Sequence, residues 1–431
     1  MIKKLFSVYS SNLLLGILGV ITVPILLKNI GVEGYGYYGI YLTIFSYFTL
    51  FELGIIKHFT KLISQNNTEV NKIISSFYYF TISVILIFIP ITMLFIHLLF
   101  GINRQYAILI GVIVTLEYIF YLPTKIYSAY ATANKNFERL SLFNFISGII
   151  RYFLIIFGSI ITQNVFIIII LLAIRRIFDI KLSKKITKEE IKIFDFTKIN
   201  KLNLFKVFGY YRESIYLSGT QALQINLNGM ISLMISRLFG VEGLGLFRST
   251  YDILSKIWFF SNGLGLVVFP YFAGSSVGVN KYKKYTFVSW IFYTFIYISF
   301  VLLFPILNEI LLNGSLDNNE DMFLFLFMLI SILLIAQGNL SFEFLQAKGN
   351  YKYLMLITFI TNLIFLLLTF STYKLIPYTF SVIISWMVSL IIQTISFEFK
   401  SIQGSKLFVL FTLFLIIFWV FIGLIRFDLL L

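Results

Sequence analysis

The chain has 431 residues, 59% of them hydrophobic and 12% charged, with a net charge of +15. A soluble chain carries about 25% charged residues, so this composition excludes a soluble globular protein. With no Cys and two His it also excludes a disulfide framework and a Cys- or His-rich metal centre.

Apolar runs of about 20 residues recur along almost the whole length, each long enough to cross a bilayer as a helix. The expected fold class is an all-α polytopic membrane protein. In chain order, spans are read near 7–27, 37–58, 74–99, 106–128, 140–160, 164–181, 213–238, 246–268, 287–311, 322–345, 354–374, 378–398 and 407–426. The first run lacks a small-residue cleavage site before a polar region, so it is read as a span and not as a signal peptide. The last run is read as spanning or as lying flat on the membrane. Heavy use of Ile, Phe, Asn, Lys and Tyr points to an AT-rich bacterial gene.

Most of the 34 Lys and Arg residues fall on alternate loops and helix ends, beginning with Lys3 and Lys4 at the N-terminus. The same set holds Lys57, Lys61 and Lys72, then Lys125, Lys135 and Arg139, and the long run from Arg175 to Arg212. The opposite set holds only scattered cations such as Lys28, Arg104 and Arg237. Positive charge marks the cytoplasmic side, so the N-terminus is placed inside. The net charge is thus a topology signal, and no nucleic-acid partner is implied. Residues 182–206 read as a basic cytoplasmic linker lying against anionic lipid.

The chain repeats itself at an offset of 209 positions. Gly31-Val32-Glu33-Gly34 falls on Gly240-Val241-Glu242-Gly243, and Gly36 falls on Gly245. The register continues without a gap from Lys28 against Arg237 to Val70-Asn71-Lys72 against Val279-Asn280-Lys281. Two parallel repeats of six helices around a central cavity follow, a transporter design in which the substrate site lies between the halves. The expected domains are an N-terminal lobe at 1–181, the linker at 182–206, a C-terminal lobe at 207–400 and an extra hydrophobic helix within 401–431. The extra helix has no counterpart in the first half, giving 12–13 membrane helices in all.

Gly34-Tyr-Gly36-Tyr-Tyr-Gly39 also matches the dinucleotide-binding fingerprint. That fingerprint must follow a strand and open a helix. Here it follows a membrane helix, and the second copy has Arg248 where Gly39 stands. The glycines Gly31, Gly34, Gly36, Gly240, Gly243 and Gly245 are therefore read as the hinge, or tight turn, between the first two helices of each lobe. Glu33 and Glu242 sit near the start of the following helix, where the dipole favours an anion.

The glycine turns, Glu52-Leu53-Gly54 and Gln346-Ala347-Lys348-Gly349 resemble those of the polysaccharide flippases. These are the O-antigen (Wzx-type) exporters of the superfamily that also holds multidrug-extrusion proteins and the lipid II flippase. The resemblance covers nearly all of the chain. It implies twelve core helices in two lobes. It also implies transport of an undecaprenyl-pyrophosphate-linked oligosaccharide, an O-antigen or capsule repeat unit, from the cytoplasmic to the outer leaflet of the bacterial inner membrane. Membrane lipid, a polysaccharide polymerase and chain-length machinery are the partners it implies. It implies no cofactor beyond H⁺ or Na⁺ as a coupling ion.

Ionisable side chains in mid-span are costly and usually face an interior cavity. Arg151 and Lys256 are read as cavity residues that attract the pyrophosphate, the first as a bidentate fork and the second as a point charge. Glu117 and Asp252 are read as their counter-charges or as sites of ion coupling. The competing reading is two structural ion pairs, Glu117 with Arg151 and Asp252 with Lys256. Gln221, Gln224, Asn226 and Asn228 are candidate sugar contacts, or else hydrogen bonds between helices.

Two other functions compete: a drug or cation antiporter of the same superfamily, and a membrane polysaccharide polymerase or ligase. An antiporter of cations calls for an acidic cavity. A polymerase calls for a long outer loop with Arg and His, whereas the longest outer loop here, Asn313 to Asp321, has no basic residue. No Gly-x-x-x-x-Gly-Lys-Ser/Thr motif occurs, so nucleotide-driven pumping is not expected. The chain is read as a transporter without enzymatic activity.

Overall fold

In a computed structural model the described residues are 2–52, 70–134, 136–187, 201–258, 279–314, 319–372, 378–402 and 406–426, with short pieces at 56, 59–60, 63, 261 and 316. Apart from short connections such as 101–103 and 163–164 they are helical. The elements are α1 (Ile2–Phe48), α2 (Val70–Phe100), α3 (Arg104–Ala133), α4 (Phe137–Thr162), α5 (Val165–Thr187), α6 (Lys201–Leu254), α7 (Val279–Leu302), α8 (Phe304–Leu312), α9 (Asn319–Ala347), α10 (Tyr351–Thr372), α11 (Tyr378–Ser401) and α12 (Lys406–Arg426). Short 3₁₀ turns follow α1 at Thr49–Glu52 and α6 at Ser255–Ile257. Of the basic linker expected at 182–206, the end of α5 and the start of α6 are helical, and the part between lies outside the described residues.

Eight helices among the described residues are long and apolar enough to cross a membrane, and a bent pair makes a ninth. That pair is α2, whose segments Ile74–Ile87 and Thr92–Phe100 meet at 55° around Pro90. Proline explains the bend, since its ring removes one backbone donor and clashes with the preceding turn. Two of the eight candidates contain two helices each. α1 carries the first two expected spans joined at Gly31, and α6 the seventh and eighth joined at Gly240. The last apolar segment forms α12, with a shorter apolar core at Leu410–Gly423.

Hydroxyl side chains within the helices turn back on their own backbone. Thr22 donates to the Leu18 carbonyl at 2.6 Å and Thr115 to Gly111 at 2.7 Å, so these groups need no external partner in an apolar surrounding. Helix ends are capped by local chemistry. The Asn103 side chain accepts the Gln105 N–H ahead of α3. Asn313, at φ 53°, closes α8 in the left-handed region.

The residues fall into two compact units, Met1–Gly245 and Leu246–Leu431. In the first, α1 packs against α4, α4 against α5, and α3 against both α2 and α5. In the second, α9 and α10 pack against α11, and α12 lies against α7, α9 and α11. The 209-residue register is visible in the helices as well as in the sequence, since α2 opens at Val70 and α7 at Val279.

Candidate functional site: charged clusters inside the bundle

The repeated glycines do three different jobs. Gly31 has φ 69° and ψ 176°, and Gly240 has φ 72° and ψ −174°. That backbone region is open essentially to glycine alone, and both turns use the same conformation. Gly34 and Gly243 make room within their own turns: a Cβ at Gly34 would sit 2.9 Å from the Ile30 Cβ, and one at Gly243 would overlap the Phe239 Cβ. Gly36 and Gly245 allow two backbones to touch. A Cβ at Gly36 would overlap the Val241 carbonyl oxygen and lie 2.8 Å from its carbon; one at Gly245 would overlap the Val32 carbonyl oxygen and lie 2.9 Å from its carbon. The contact is reciprocal, and all four residues belong to the first unit.

A charged cluster fills the middle of the first unit. α1 supplies Tyr38, Tyr41 and Phe45, α3 supplies Glu117 and Tyr121, α4 supplies Arg151, and α5 supplies Arg175, Arg176 and Asp179. Glu117 is 1% exposed and is held from two sides. Arg176 Nε donates to its Oε1 at 2.8 Å, and the Tyr41 hydroxyl donates to Oε2 at 2.5 Å. The Arg176 guanidinium also lies over the rings of Phe45 and Tyr121, 5.3 and 4.7 Å from their centroids. Asp179 is shared by Arg175 at 3.2 Å and Arg176 at 3.5 Å, and Arg175 Nη1 donates to the Ser147 carbonyl.

Arg151 stands at the edge of this cluster. Its guanidinium reaches the Tyr38 hydroxyl at 3.4 Å and lies over the Tyr152 ring, with no carboxylate partner among the described residues. The Tyr38 and Tyr41 rings lie 5.8 Å apart, tilted by 32°, which ties Arg151 to the Glu117 group. Three guanidinium groups thus meet two carboxylates, leaving one positive charge uncompensated inside a membrane bundle. A half-buried guanidinium whose one hydrogen bond among the described residues is a long contact to a phenol keeps most of its donor fork available for an anion.

The structure gives each mid-span carboxylate an arginine partner that the sequence reading did not name. Glu117 takes Arg176 and not Arg151. Asp252 takes Arg248, one turn earlier, at 3.3 Å. Lys256 lies in the 3₁₀ turn Ser255–Ile257, half-buried, in the second unit. Gln224, Asn226 and Asn228 are half-buried along α6, with Asn226 Nδ2 against the Met230 sulfur at 3.3 Å. The side chain of Gln221 lies outside the described residues.

Arg175 and Arg176 count by sequence among the cations of the cytoplasmic loops and helix ends, at the end of the sixth expected span, and Asp179 is not singled out there. The structure places them inside α5, with Arg175 and Asp179 buried. Their spacing was the available signal, since 175 with 179 and 176 with 179 are i,i+4 and i,i+3 pairs on one helical face.

Comparison with known proteins identifies the fold and the family. The lipid II flippase MurJ, in its inward closed conformation, superposes with a TM-score of 0.72 at 16% identity, over 98% of this chain and 97% of MurJ. An inward-facing multidrug resistance MATE family transporter of the MOP superfamily superposes with a TM-score of 0.67 at 10% identity, over 92% of this chain and 99% of the transporter. A MOP superfamily transporter from Pyrococcus furiosus, described as having a binding pocket of reverse polarity, gives 0.58 at 9% identity, over 94% and 95%. No curated protein matches the sequence. The family described as "Polysaccharide biosynthesis protein" matches residues 1–276. The chain is therefore a multi-span membrane protein with the all-helical MOP fold, and it belongs to the polysaccharide biosynthesis protein family.

Proposed function

We propose that the chain is a flippase that carries an undecaprenyl-pyrophosphate-linked oligosaccharide from the cytoplasmic to the outer leaflet of the bacterial inner membrane by alternating access. The observation that carries this reading is the surplus cation at Arg151, beside a carboxylate pair already neutralised by Arg175 and Arg176. A pyrophosphate is the one highly charged part of such a substrate, and an unpaired guanidinium in an apolar bundle is suited to it. In this reading the lobes at 1–181 and 207–400 are the moving bodies. Glu117 holds Arg176 and Asp252 holds Arg248, which leaves Arg151 open to the substrate. Lys256, Gln221, Gln224, Asn226 and Asn228 form the second lobe's share of the substrate contacts.

The test is complementation of a deletion strain. Deletion should abolish surface polysaccharide and make lipid-linked repeat units accumulate inside. A charge-assisted hydrogen bond contributes about 1.5–3 kcal/mol, so Arg151→Ala should lower export roughly ten- to hundredfold. Arg151→Lys should restore part of it, because the charge survives without the fork. Normal export by the Arg151→Ala, Lys256→Ala double variant would overturn the cationic-site reading. A deletion strain that keeps its polysaccharide but becomes sensitive to cationic dyes would overturn the flippase reading in favour of an antiporter.

A further inference from the structure

Glu398 is a carboxyl group that the proposed transport cycle does not use. It lies in α11 and is 0% exposed. Three side chains from three other helices converge on it. Trp290 Nε1 of α7 donates to Oε1 at 2.9 Å, Gln337 Nε2 of α9 donates to the same oxygen at 2.9 Å, and the Thr412 hydroxyl of α12 meets Oε2 at 2.8 Å. Gln337 is itself fixed by the Ser289 hydroxyl, which donates to its Oε1 at 2.7 Å. Every one of these partners is uncharged.

Among the described residues the other titratable group facing Glu398 is Tyr282 of α7, whose hydroxyl is bonded to Ser341 of α9 at 2.7 Å. No Lys, Arg or His ion pair reaches Glu398 from α7, α9, α11 or α12 among the described residues. Lys400, two residues along α11, lies over the Tyr353 ring of α10 instead. An ionised carboxylate with no counter-charge costs several kcal/mol to bury in protein, and the membrane interior adds to that. A metal cation is not the answer, because two of the three groups aimed at the carboxyl are N–H donors, which repel cations. Monovalent and divalent hard cations need a cage of oxygens. A proton needs only one oxygen and one acceptor. Oε2 and the Thr412 hydroxyl supply both, since a hydroxyl accepts as readily as it donates.

α12 closes this position. Besides Thr412, its Trp419 Nε1 donates to the Thr294 hydroxyl at 3.1 Å, its Trp419 carbonyl accepts from the Tyr297 hydroxyl, and the Trp419 ring stacks on Tyr297. The helix that looked appended in the sequence is therefore bonded into the second unit, and it covers the side of Glu398 from which a proton could leave. We propose that Glu398 is a proton-binding site closed by α12, carrying its proton on Oε2 toward Thr412 and exchanging it only when α12 lifts away from α11.

The experiment is infrared difference spectroscopy on the full chain in nanodiscs at neutral pH, where exposed carboxyls are ionised. The wild type should show a protonated-carboxyl C=O band that Glu398→Gln loses, by the area of a single carboxyl. In heavy water this band should shift slowly, on the timescale of α12 opening. Thr412→Val, which keeps the shape and removes the acceptor, should move the band to the higher frequency of an acid without a hydrogen bond. This second variant reads the site even where Glu398→Gln fails to fold. Spectra of the wild type and Glu398→Gln that coincide in this region, or a band that Thr412→Val leaves in place, would overturn the proposal. No step of the test depends on transport, so it stands apart from the substrate reading above.

Discussion

Replacing Gly36 by Ala places one methyl group where the structure has no room for it. Its carbon would lie 2.8 Å from the Val241 carbonyl carbon and 2.6 Å from Val241 Cγ1, and it would overlap the carbonyl oxygen. Carbon atoms in ordinary contact sit about 3.5–4.0 Å apart, so the two backbones must separate by roughly 1 Å. The obstacle is main chain, which cannot rotate aside as a side chain can. Overpacking of this kind costs about 1–3 kcal/mol, and a backbone obstacle puts Gly36→Ala near the upper end. Gly245→Ala should cost the same, by the mirrored contact with Val32. Because one separation relieves both overlaps, the double variant should cost clearly less than the two single costs added together. Gly209→Ala is the internal control. It lies in α6, exposed, with nothing near its missing Cβ, and should gain about 0.5–1 kcal/mol from helix propensity. The assay is unfolding in mixed micelles of rising sodium dodecyl sulfate fraction. Gly36→Ala should unfold at a lower fraction than wild type and Gly209→Ala at a higher one. If the Gly36, Gly245 and Gly209 variants unfold together, the close crossing is refuted.

Two further outcomes follow from buried polar groups. Arg176→Ala removes the cation from a Glu117 that is 1% exposed, which should cost about 3–5 kcal/mol in the same unfolding assay, and adding Glu117→Gln should recover much of it. Asn308 holds the turn after α8 from both sides, donating to the Leu316 carbonyl at 3.1 Å and accepting its N–H at 3.2 Å. Asn308→Ala should cost about 2 kcal/mol and speed amide exchange at Leu316 without touching that of α9.

The parts of this molecule that depend on backbone conformation were legible in the sequence. A glycine at Gly31 or Gly240 is required by a dihedral angle, and dihedral requirements repeat when a segment repeats. Partner choice was not legible. Hydropathy averages around the circumference of a helix, so it counts Arg175 and Arg176 as charges at the end of the sixth span and does not say which way they face. The structure continues the helix to Thr187 and turns Arg175 and Asp179 inward. Glu117 and Arg151 are both mid-span, and only packing decides that Glu117 meets Arg176. Glu398 escaped notice for a related reason. It sits three residues before the end of α11, where a carboxyl reads as interfacial until a further helix is seen to cover it.

The glycine crossing also carries information about how the two glycine turns are tied to each other. In the 209-residue register Val241 is Val32 and Gly245 is Gly36, so the chain makes a single contact twice: position 36 of each copy against position 32 of the other. Reciprocity of this sort defines an isologous interface, the kind that joins identical subunits across a two-fold axis. The two copies share that symmetry at this point and differ elsewhere, for instance at Gly39 and Arg248. A change that adds bulk at either copy's glycine therefore presses on the backbone of the opposite copy's turn.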